Sequence, residues 1–331
     1  MKAIALFSGG LDSTLAMKLI IDQGIEVIAC NINTGFGSTK DRLTHMKNMC
    51  DQVGAEFRSI DIQDEYIEQI LFTPKYGYGK NFNPCIDCHG KMFEVAKRVM
   101  EEWGASFLIS GEVLGQRPMS QNSESLQKVL DLSNCEGLLL RPLSAQSLAP
   151  TIPEIQGWVN RDKLENIVGR NRDRQIELVK EFDLKDYEGP GGGCLLTDEH
   201  FSRKIRDFIA HDENFVKADI PTLKYGRQLR LPDGAKLIIG RNEEENKILE
   251  TIENEKYTHI STELFGPHSL ISANTSEADK ILSAKVILAY CKPTFSGEQT
   301  LNIGEDTIIT KTVGPNFSNL LPIPQIGREG G

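Results

Sequence analysis

The sequence predicts an α/β fold, a parallel sheet with helices on both faces, joined to a second, smaller α+β domain. Three observations predict it. Short apolar runs alternate with stretches of helical periodicity through the first half. A glycine pair, Gly9-Gly10, stands at the first junction between such a run and a helix. After about Asp212 the pattern changes to closely spaced β-like segments.

Lys2 to Phe7 is the first apolar run. It ends in Ser8-Gly9-Gly10-Leu11-Asp12-Ser13, and from Thr14 to Gln23 the residues Leu15, Leu19 and Ile20 recur at helical spacing. Glu26 to Ile32 reads as a second buried strand, Thr39 to Val53 as a helix and Ala55 to Ile60 as a third strand. Right-handed crossovers place ligands at the carboxyl ends of such strands, where Ser8–Ser13 and Asn31–Gly35 both fall. A Gly-, Pro- and Asn-rich break, Thr73 to Pro84, precedes Cys85-Ile86-Asp87-Cys88 at the start of a helix that continues through Met92, Phe93, Ala96 and Val99. Phe107 to Ile109 is a strand with Ser110-Gly111-Glu112 at its end, Gly115-Gln116 and Ser120-Gln121 lie in the following loop, and Leu138 to Leu140 is a short strand before Arg141-Pro142-Leu143.

From Thr151 to Leu184 the pattern predicts helix with mixed charges, and Gly189 to Gly193 forms a sharp loop that delivers Cys194. Asp198 to Ile209 closes the first half as a helix. Beyond it, Leu229–Leu231, Lys236–Ile239, Ser269–Ser272, Lys285–Ala289 and Thr307–Thr312 read as strands around one acidic helix, Glu243 to Glu255, and Gly327 to Gly331 as a loose tail.

At 331 residues two domains are expected, 1–212 and 213–331. A 39% hydrophobic and 25% charged composition is that of a soluble globular chain. No apolar run approaches a membrane span and Met1-Lys2-Ala3-Ile4 lacks a signal-peptide layout, so no membrane partner and a cytoplasmic location are expected. Seven cysteines there stay reduced. A net charge of −10 means that a nucleic-acid partner must meet a local basic patch. Arg161, Lys163, Arg170, Arg172 and Arg174 form the densest one, although most such clusters are only solvated helix faces.

The first loop has the make-up of a phosphate cradle. Glycines let the backbone approach an anion, free amides and the helix dipole attract it, Ser8 and Ser13 add hydroxyls, and Asp12 can hold magnesium against the phosphates. No lysine follows, which excludes the loop that grips β- and γ-phosphates through G-K-[ST]. Gly9-Gly10 alone would equally make an ordinary βα turn. Cys85 and Cys88 have the spacing of a redox pair, half a zinc site or part of an iron–sulfur site, and Cys194 follows a glycine run. Cys30, Cys50, Cys135 and Cys291 read as small hydrophobes, and His200 as a surface or packing residue.

The hexapeptide Ser8–Ser13 resembles the PP-loop of the ATP-pyrophosphatase superfamily, whose members cleave ATP between the α- and β-phosphates. That loop, then Asn83-Pro84-Cys85-x-x-Cys88, Ser110-Gly111-Glu112-x-x-Gly115-Gln116 with Ser120-Gln121, and Arg141-Pro142-Leu143 resemble in that order the catalytic domain of tRNA 4-thiouridine synthetases and their 2-thiouridylase relatives, over roughly residues 1 to 210. The resemblance implies a HUP-like sheet, tRNA as partner, and ATP with Mg2+ held by Ser8, Gly9, Gly10, Asp12, Ser13, Asn31, Gly111 and Gln116. It also implies Asp12, Cys85, Cys88 and Cys194 as catalytic residues, the three cysteines as ligands of a 4Fe–4S cluster with one open iron or, in the rival form, as a persulfide pair. The sulfur would come as hydrosulfide or from a persulfide-carrying desulfurase; 4-thiouridine at tRNA position 8 is the expected product, with 2-thiouridine or a small-molecule PP-loop ligase as alternatives.

The usual synthetase's N-terminal RNA-binding extension is not expected, since the first strand begins at Met1. Gly240-Arg241-Asn242-Glu243-Glu244-Glu245-Asn246 and Phe265-Gly266-Pro267-His268-Ser269 instead look like the NFACT-R RNA-binding module of ribosome quality-control proteins. On that likeness Arg241, Asn242 and His268, with Arg170, Arg172 and Arg174, are candidate RNA contacts. The other reading of Asn242 is an N-cap of the acidic helix. The sequence leaves the oligomeric state open, a homodimer included.

Overall fold

Ala3, Ile4 and Ala5 are buried on both faces of the first strand, β1 (Lys2–Leu6), the signature of a strand inside a parallel sheet. A computed structural model of the chain describes residues 1–38, 42–187, 193–291, 297–311 and 326. It contains two units, Met1–Thr197 and Asp198–Gly331. The predicted glycine tail lies outside the described residues.

The first unit carries a five-stranded parallel sheet in the order β3-β2-β1-β4-β5, with β2 at Glu26–Asn33, β3 at Glu56–Asp61, β4 at Phe107–Ser110 and β5 at Leu139–Leu140. The direction of winding reverses between β1 and β4, which leaves a crevice beyond their carboxyl ends. The helices are α1 (Leu11–Ile21), α2 (Leu43–Val53), α3 (Gln63–Tyr66, running into a π-turn at Ile67–Leu71), α4 (Cys85–Arg98), α5 (Ser123–Ser133), α6 (Ile152–Ile155) and α7 (Asp173–Glu181). Leu15 of α1, Phe107 of β4 and Leu178 of α7 share one core and are essentially water-free, each contributing about 2 kcal/mol of apolar burial. Helices α4 and α5 approach closely because residue 90 is glycine; a Cβ there would lie 2.6 Å from Leu132 Cβ.

The predicted helix from Thr151 to Leu184 is largely absent. Only α6, a short 3-10 turn at Arg161–Lys163 and α7 form, while Val168 makes a parallel bridge to Leu114. Buried Ser144 fixes that arrangement: its hydroxyl donates to Ile167 O (2.6 Å) and accepts from Leu114 N (3.0 Å).

The second unit has a six-stranded antiparallel sheet in the order β11-β10-β8-β9-β7-β6. Its elements are α8 (Glu199–His211), α9 (Asp219–Lys224), β6 (Arg227–Arg230), β7 (Lys236–Ile239), α10 (Glu243–Glu250), β8 (Tyr257–Ser261), β9 (Ser269–Ser272), α11 (Glu277–Leu288), β10 (Glu298–Ile303) and β11 (Asp306–Lys311). The boundary falls at 197/198 and not near 212, because α8 belongs to the second unit. Arg230 Nε donates to Asp207 (3.2 Å), Lys204 Nζ donates to Leu223 O (3.1 Å) and Phe208 stacks edge-on against Phe215 at 5.0 Å. Lys285–Ala289, expected as strand, instead forms the last turn and C-cap of α11, where Ala284, Val286, Ile287 and Leu288 fill the sheet's core cluster. An aliphatic run of that length carries no period that separates strand from helix. Among the described residues no helix is long and apolar enough to cross a membrane.

Candidate active site

The glycine loop sits at the mouth of the β1/β4 crevice. Phe7 N donates to Cys30 O (2.9 Å), extending the β1–β2 ladder by one residue, and Gly9 then takes a positive φ of 79°. Gly10 precedes α1 without a side-chain cap, the kind of helix start that binds an anion. The Ser13 and Thr14 hydroxyls both donate to Gly10 O, at 2.8 and 3.1 Å, which locks the turn; Ser8 is exposed. Gly111 lets the end of β4 meet this loop. A Cβ at 111 would stand 2.4 Å from Ser13 N and 2.5 Å from the Asp12 carbonyl carbon.

Asp12 is fully engaged. Arg172 grips it with both nitrogens, NH2 on Oδ1 at 2.8 Å and NH1 on Oδ2 at 3.2 Å, and Gln116 Nε2 donates to Oδ2 at 2.8 Å. Gln116 is held in turn by buried Gln175, whose Nε2 donates to Gln116 Oε1 at 2.9 Å. Arg172 thus stands on the phosphate loop and not in a surface basic cluster. Arg174 pairs with Glu165, Glu177 and Glu181, the hydrogen bond to Glu165 being the main cause of its raised pKa, and Arg161 pairs with Glu154. Arg170 is exposed. Asn31 braces the strand ends, donating to Phe7 O (3.1 Å) and accepting from the Ser59 hydroxyl (3.3 Å).

The segments that carry the predicted thiol trio are held by local ties. Cys85 and Cys88 open α4, and Asp87 between them is buried, accepting from Lys75 N (2.7 Å) and Tyr76 N (3.0 Å) to anchor the preceding loop. Cys194 makes an antiparallel bridge to Gly37, beyond the carboxyl end of β2, with Leu195 N donating to Phe36 O (2.9 Å). Asn81 joins the two cysteine segments by donating to Thr197 O (2.6 Å), while Asn83 Nδ2 donates to Cys85 Sγ (3.1 Å). Burial pushes the Cys88 thiol up, the Cys194 thiol adds to the effect, a Tyr66 hydrogen bond opposes it, and Cys85 and Asp87 add further. Residues 188–192 of the approach to Cys194 lie outside the described residues.

Arg42 sits between the thiol segment and the phosphate loop. A Cβ at Gly9 would lie 3.4 Å from Arg42 NH2, and one at Gly193 2.6 Å from Arg42 NH1. Gly193, next to Cys194, and the glycine loop therefore share a neighbour that sequence reading missed. As a donor set, three thiols in one neighbourhood suit an iron–sulfur cluster or a persulfide relay. Among the described residues, no three His, Cys, Asp or Glu side chains stand at the spacing that holds a metal ion, so the trio would have to draw closer around a cluster.

A second group is His89–Glu112–Arg141, in which residues of two sequence motifs meet a histidine that sequence reading did not single out. Glu112 is buried at the end of β4, receives Arg141 Nε at 2.9 Å and the Ser110 hydroxyl at 3.2 Å, and lies 3.2 Å from His89 Nδ1. Burial alone would raise its pKa; the Arg141 guanidinium and then His89 overcome that and hold it at about 2. This charged pair fixes the Ser-Gly-Glu turn, and with it Gly111, against the phosphate loop. Arg141 retains one buried nitrogen without a hydrogen-bond partner.

In the second unit the candidate RNA residues have local roles. Asn242 caps α10, accepting from Glu245 N at 2.9 Å, and Arg241 Nε donates to Glu245 at 3.0 Å. His268 lies 2.8 Å from His259, and its amide donates to Asn246 Oδ1 at 3.1 Å. Burial and then the neighbouring His259 lower the His268 pKa.

Sheet order, uncapped glycine loop and crevice define a PP-loop α/β domain of the HUP class, accompanied by a separate antiparallel α+β unit. Residues 1–162 match the family model described as tRNA methyl transferase HUP domain, and residues 226–313 the one described as NFACT protein RNA binding domain. Similar curated proteins are the tRNA-specific 2-thiouridylases MnmA of Francisella tularensis subsp. novicida and of Francisella philomiragia subsp. philomiragia, each 25% identical over 65% of this chain. The chain spans 62% of the length of these relatives. A solved 4-thiouridine synthetase in complex with RNA and bound ATP is 19% identical, with a TM-score of 0.38 over 67% of this chain and 52% of its own.

Proposed function

We propose that the chain is an ATP-dependent tRNA sulfurtransferase. The observation that carries this reading is the placement of Arg42 against both Gly9 of the phosphate loop and Gly193 beside Cys194, which sets a thiol segment next to the nucleotide's end of the sheet. The names of the curated relatives and the NFACT-type RNA-binding domain support tRNA as the substrate.

In the reaction a uridine carbonyl oxygen attacks the α-phosphorus of ATP, and the electron pair of the cleaved Pα–O bond leaves with pyrophosphate. The uncapped amides of α1 stabilise the charge that grows on the phosphates, and they do so without reorganising. Asp12 is the carboxylate that would hold the nucleotide's magnesium, which when bound would offset charge on the phosphates. AMP, now on the ring carbon, is a leaving group that the original oxygen was not, and sulfur replaces it. Cys85, Cys88 and Cys194 are the residues that would hold an iron–sulfur cluster, which when bound supplies an open iron for sulfide. In the persulfide form one of them carries the transferable sulfur and another resolves it. The expected 4-thiouridine rests on the ordered motifs, and the relatives' name favours the 2-position.

Mass spectrometry of tRNA nucleosides from cells with and without the gene tests the reading. Loss of 4-thiouridine or of 2-thiouridine identifies the ring position, and an unchanged thionucleoside profile refutes the proposal. Purification without oxygen followed by iron analysis separates the sulfur routes: about four irons per chain mark the cluster, and iron-free protein that still thiolates marks the persulfide.

A further inference from the structure

Arg172 holds the carboxylate that the function proposed above assigns to a nucleotide's magnesium. Both oxygens of Asp12 receive N–H donors, and two of the three donors come from this one guanidinium, 160 residues away in the chain. A magnesium ion sharing that carboxylate would meet the like charge of the guanidinium at close range, so the two compete for Asp12. The pair is mostly shielded, with Asp12 19% and Arg172 22% exposed, and it lies at the first turn of α1. Its planar fork fits phosphate oxygens as well as carboxylate. Gln116, by contrast, is tethered to fully buried Gln175 and holds its place on Asp12.

We propose that Arg172 is a nucleotide-binding residue that exchanges partners. It neutralises Asp12 while the loop is without nucleotide, and when nucleotide and magnesium arrive it passes to the phosphate chain, where it offsets the charge that develops on departing pyrophosphate. This rests on the ATP-cleaving function proposed above. A purely structural ion pair, pinning the start of α7 to α1, would shift the melting temperature and leave magnesium dependence unchanged.

Calorimetric titration of the full chain with α,β-methylene-ATP across a magnesium series reads the exchange without turnover, and pyrophosphate release with tRNA reads its consequence. In Arg172→Ala, half-saturating magnesium for analogue binding should fall about fivefold, since Asp12 is no longer contested. Pyrophosphate release at saturating ATP should slow about 100-fold, the cost of one lost charge-stabilising donor. Arg172→Lys should keep the lowered magnesium requirement and recover most of the rate, and it carries the test should the alanine variant not fold. Wild-type magnesium dependence and turnover in both variants would overturn the proposal, whatever the melting temperature. A wild-type chain that neither binds the analogue nor releases pyrophosphate would instead bring down the ATP-cleaving function itself.

Discussion

Gly111→Ala isolates the contact between the end of β4 and the phosphate loop. The added methyl would stand 2.4 Å from Ser13 N and 2.5 Å from the Asp12 carbonyl carbon, both backbone atoms at the start of α1, where ordinary contact begins near 3.4 Å. Something has to retreat by about 1 Å, and neither side yields freely. Ser13 and Thr14 clamp Gly10 O from within α1, and the Ser-Gly-Glu turn is held by the Arg141–Glu112 pair. Overpacking of this kind costs about 1–3 kcal/mol of stability. A 1 Å misplacement of a positioned reactant costs about 100-fold in rate. The variant should therefore melt a few degrees lower and release pyrophosphate about two orders of magnitude more slowly, while tRNA binding stays near wild type. Stopped-time assays of pyrophosphate with saturating ATP and tRNA, with circular dichroism to confirm folding, measure this directly. A folded Gly111→Ala chain within threefold of wild-type turnover would refute the claim that β4 sets the geometry of the loop.

In the second unit, Lys236 is fully buried with no hydrogen-bond partner on its amine, 5.9 Å from the Phe208 ring, and burial lowers its pKa from 10.5 to about 8 while Asp207 and Asp212 oppose, and Arg230 and Lys204 assist, the drop. The folded state then binds fewer protons than the unfolded one between pH 8 and 10.5, so stability should rise with pH through that window, by at most about 3 kcal/mol at 1.36 kcal/mol per pH unit. Lys236→Met should be the more stable chain at pH 7 and lose much of that rise, with Lys204, also lowered to about 8 chiefly by burial, leaving a residual slope; urea midpoints from pH 7 to 10 check it, and a methionine variant less stable at pH 7 would contradict it. Asn81→Ala removes the 2.6 Å tie between the Cys85 and Cys194 segments, worth about 1 kcal/mol, so thiolation should fall about fivefold while pyrophosphate release is retained; an equal fall in both rates would show that the tie serves the fold alone.

What could be read from the sequence was local. The hexapeptide Ser8–Ser13 announces its turn because glycine spacing, strand burial and helix periodicity all act within a dozen residues, and the C-x-x-C at the start of α4 is visible for the same reason. The fold class followed from the alternation of β1 to β4 with their helices. Residues 151–184 escaped because their shape is dictated from outside: Ser144 and Leu114 pull 167–169 into an extended path that no periodicity within the segment records.

The charged residues of the site show the same limit more sharply. Arg172 and Arg174 are separated by one residue, and composition treats them as one basic cluster, yet one grips the phosphate loop and the other is absorbed by Glu165 and its neighbours. Position in the chain gave the pair a common identity that position in space divides. Asn242 shows the converse: its N-cap bond to Glu245 spans three residues, so the local alternative to an RNA contact was already legible. A basic residue's partner is decided by where the fold brings an acid, and Asp12, half-buried and bonded to Gln116 at the start of α1, is the acid that the fold brings to Arg172. Arg172 is matched to it because α7 starts there, and the same placement puts a cation within reach of whatever anion the loop receives.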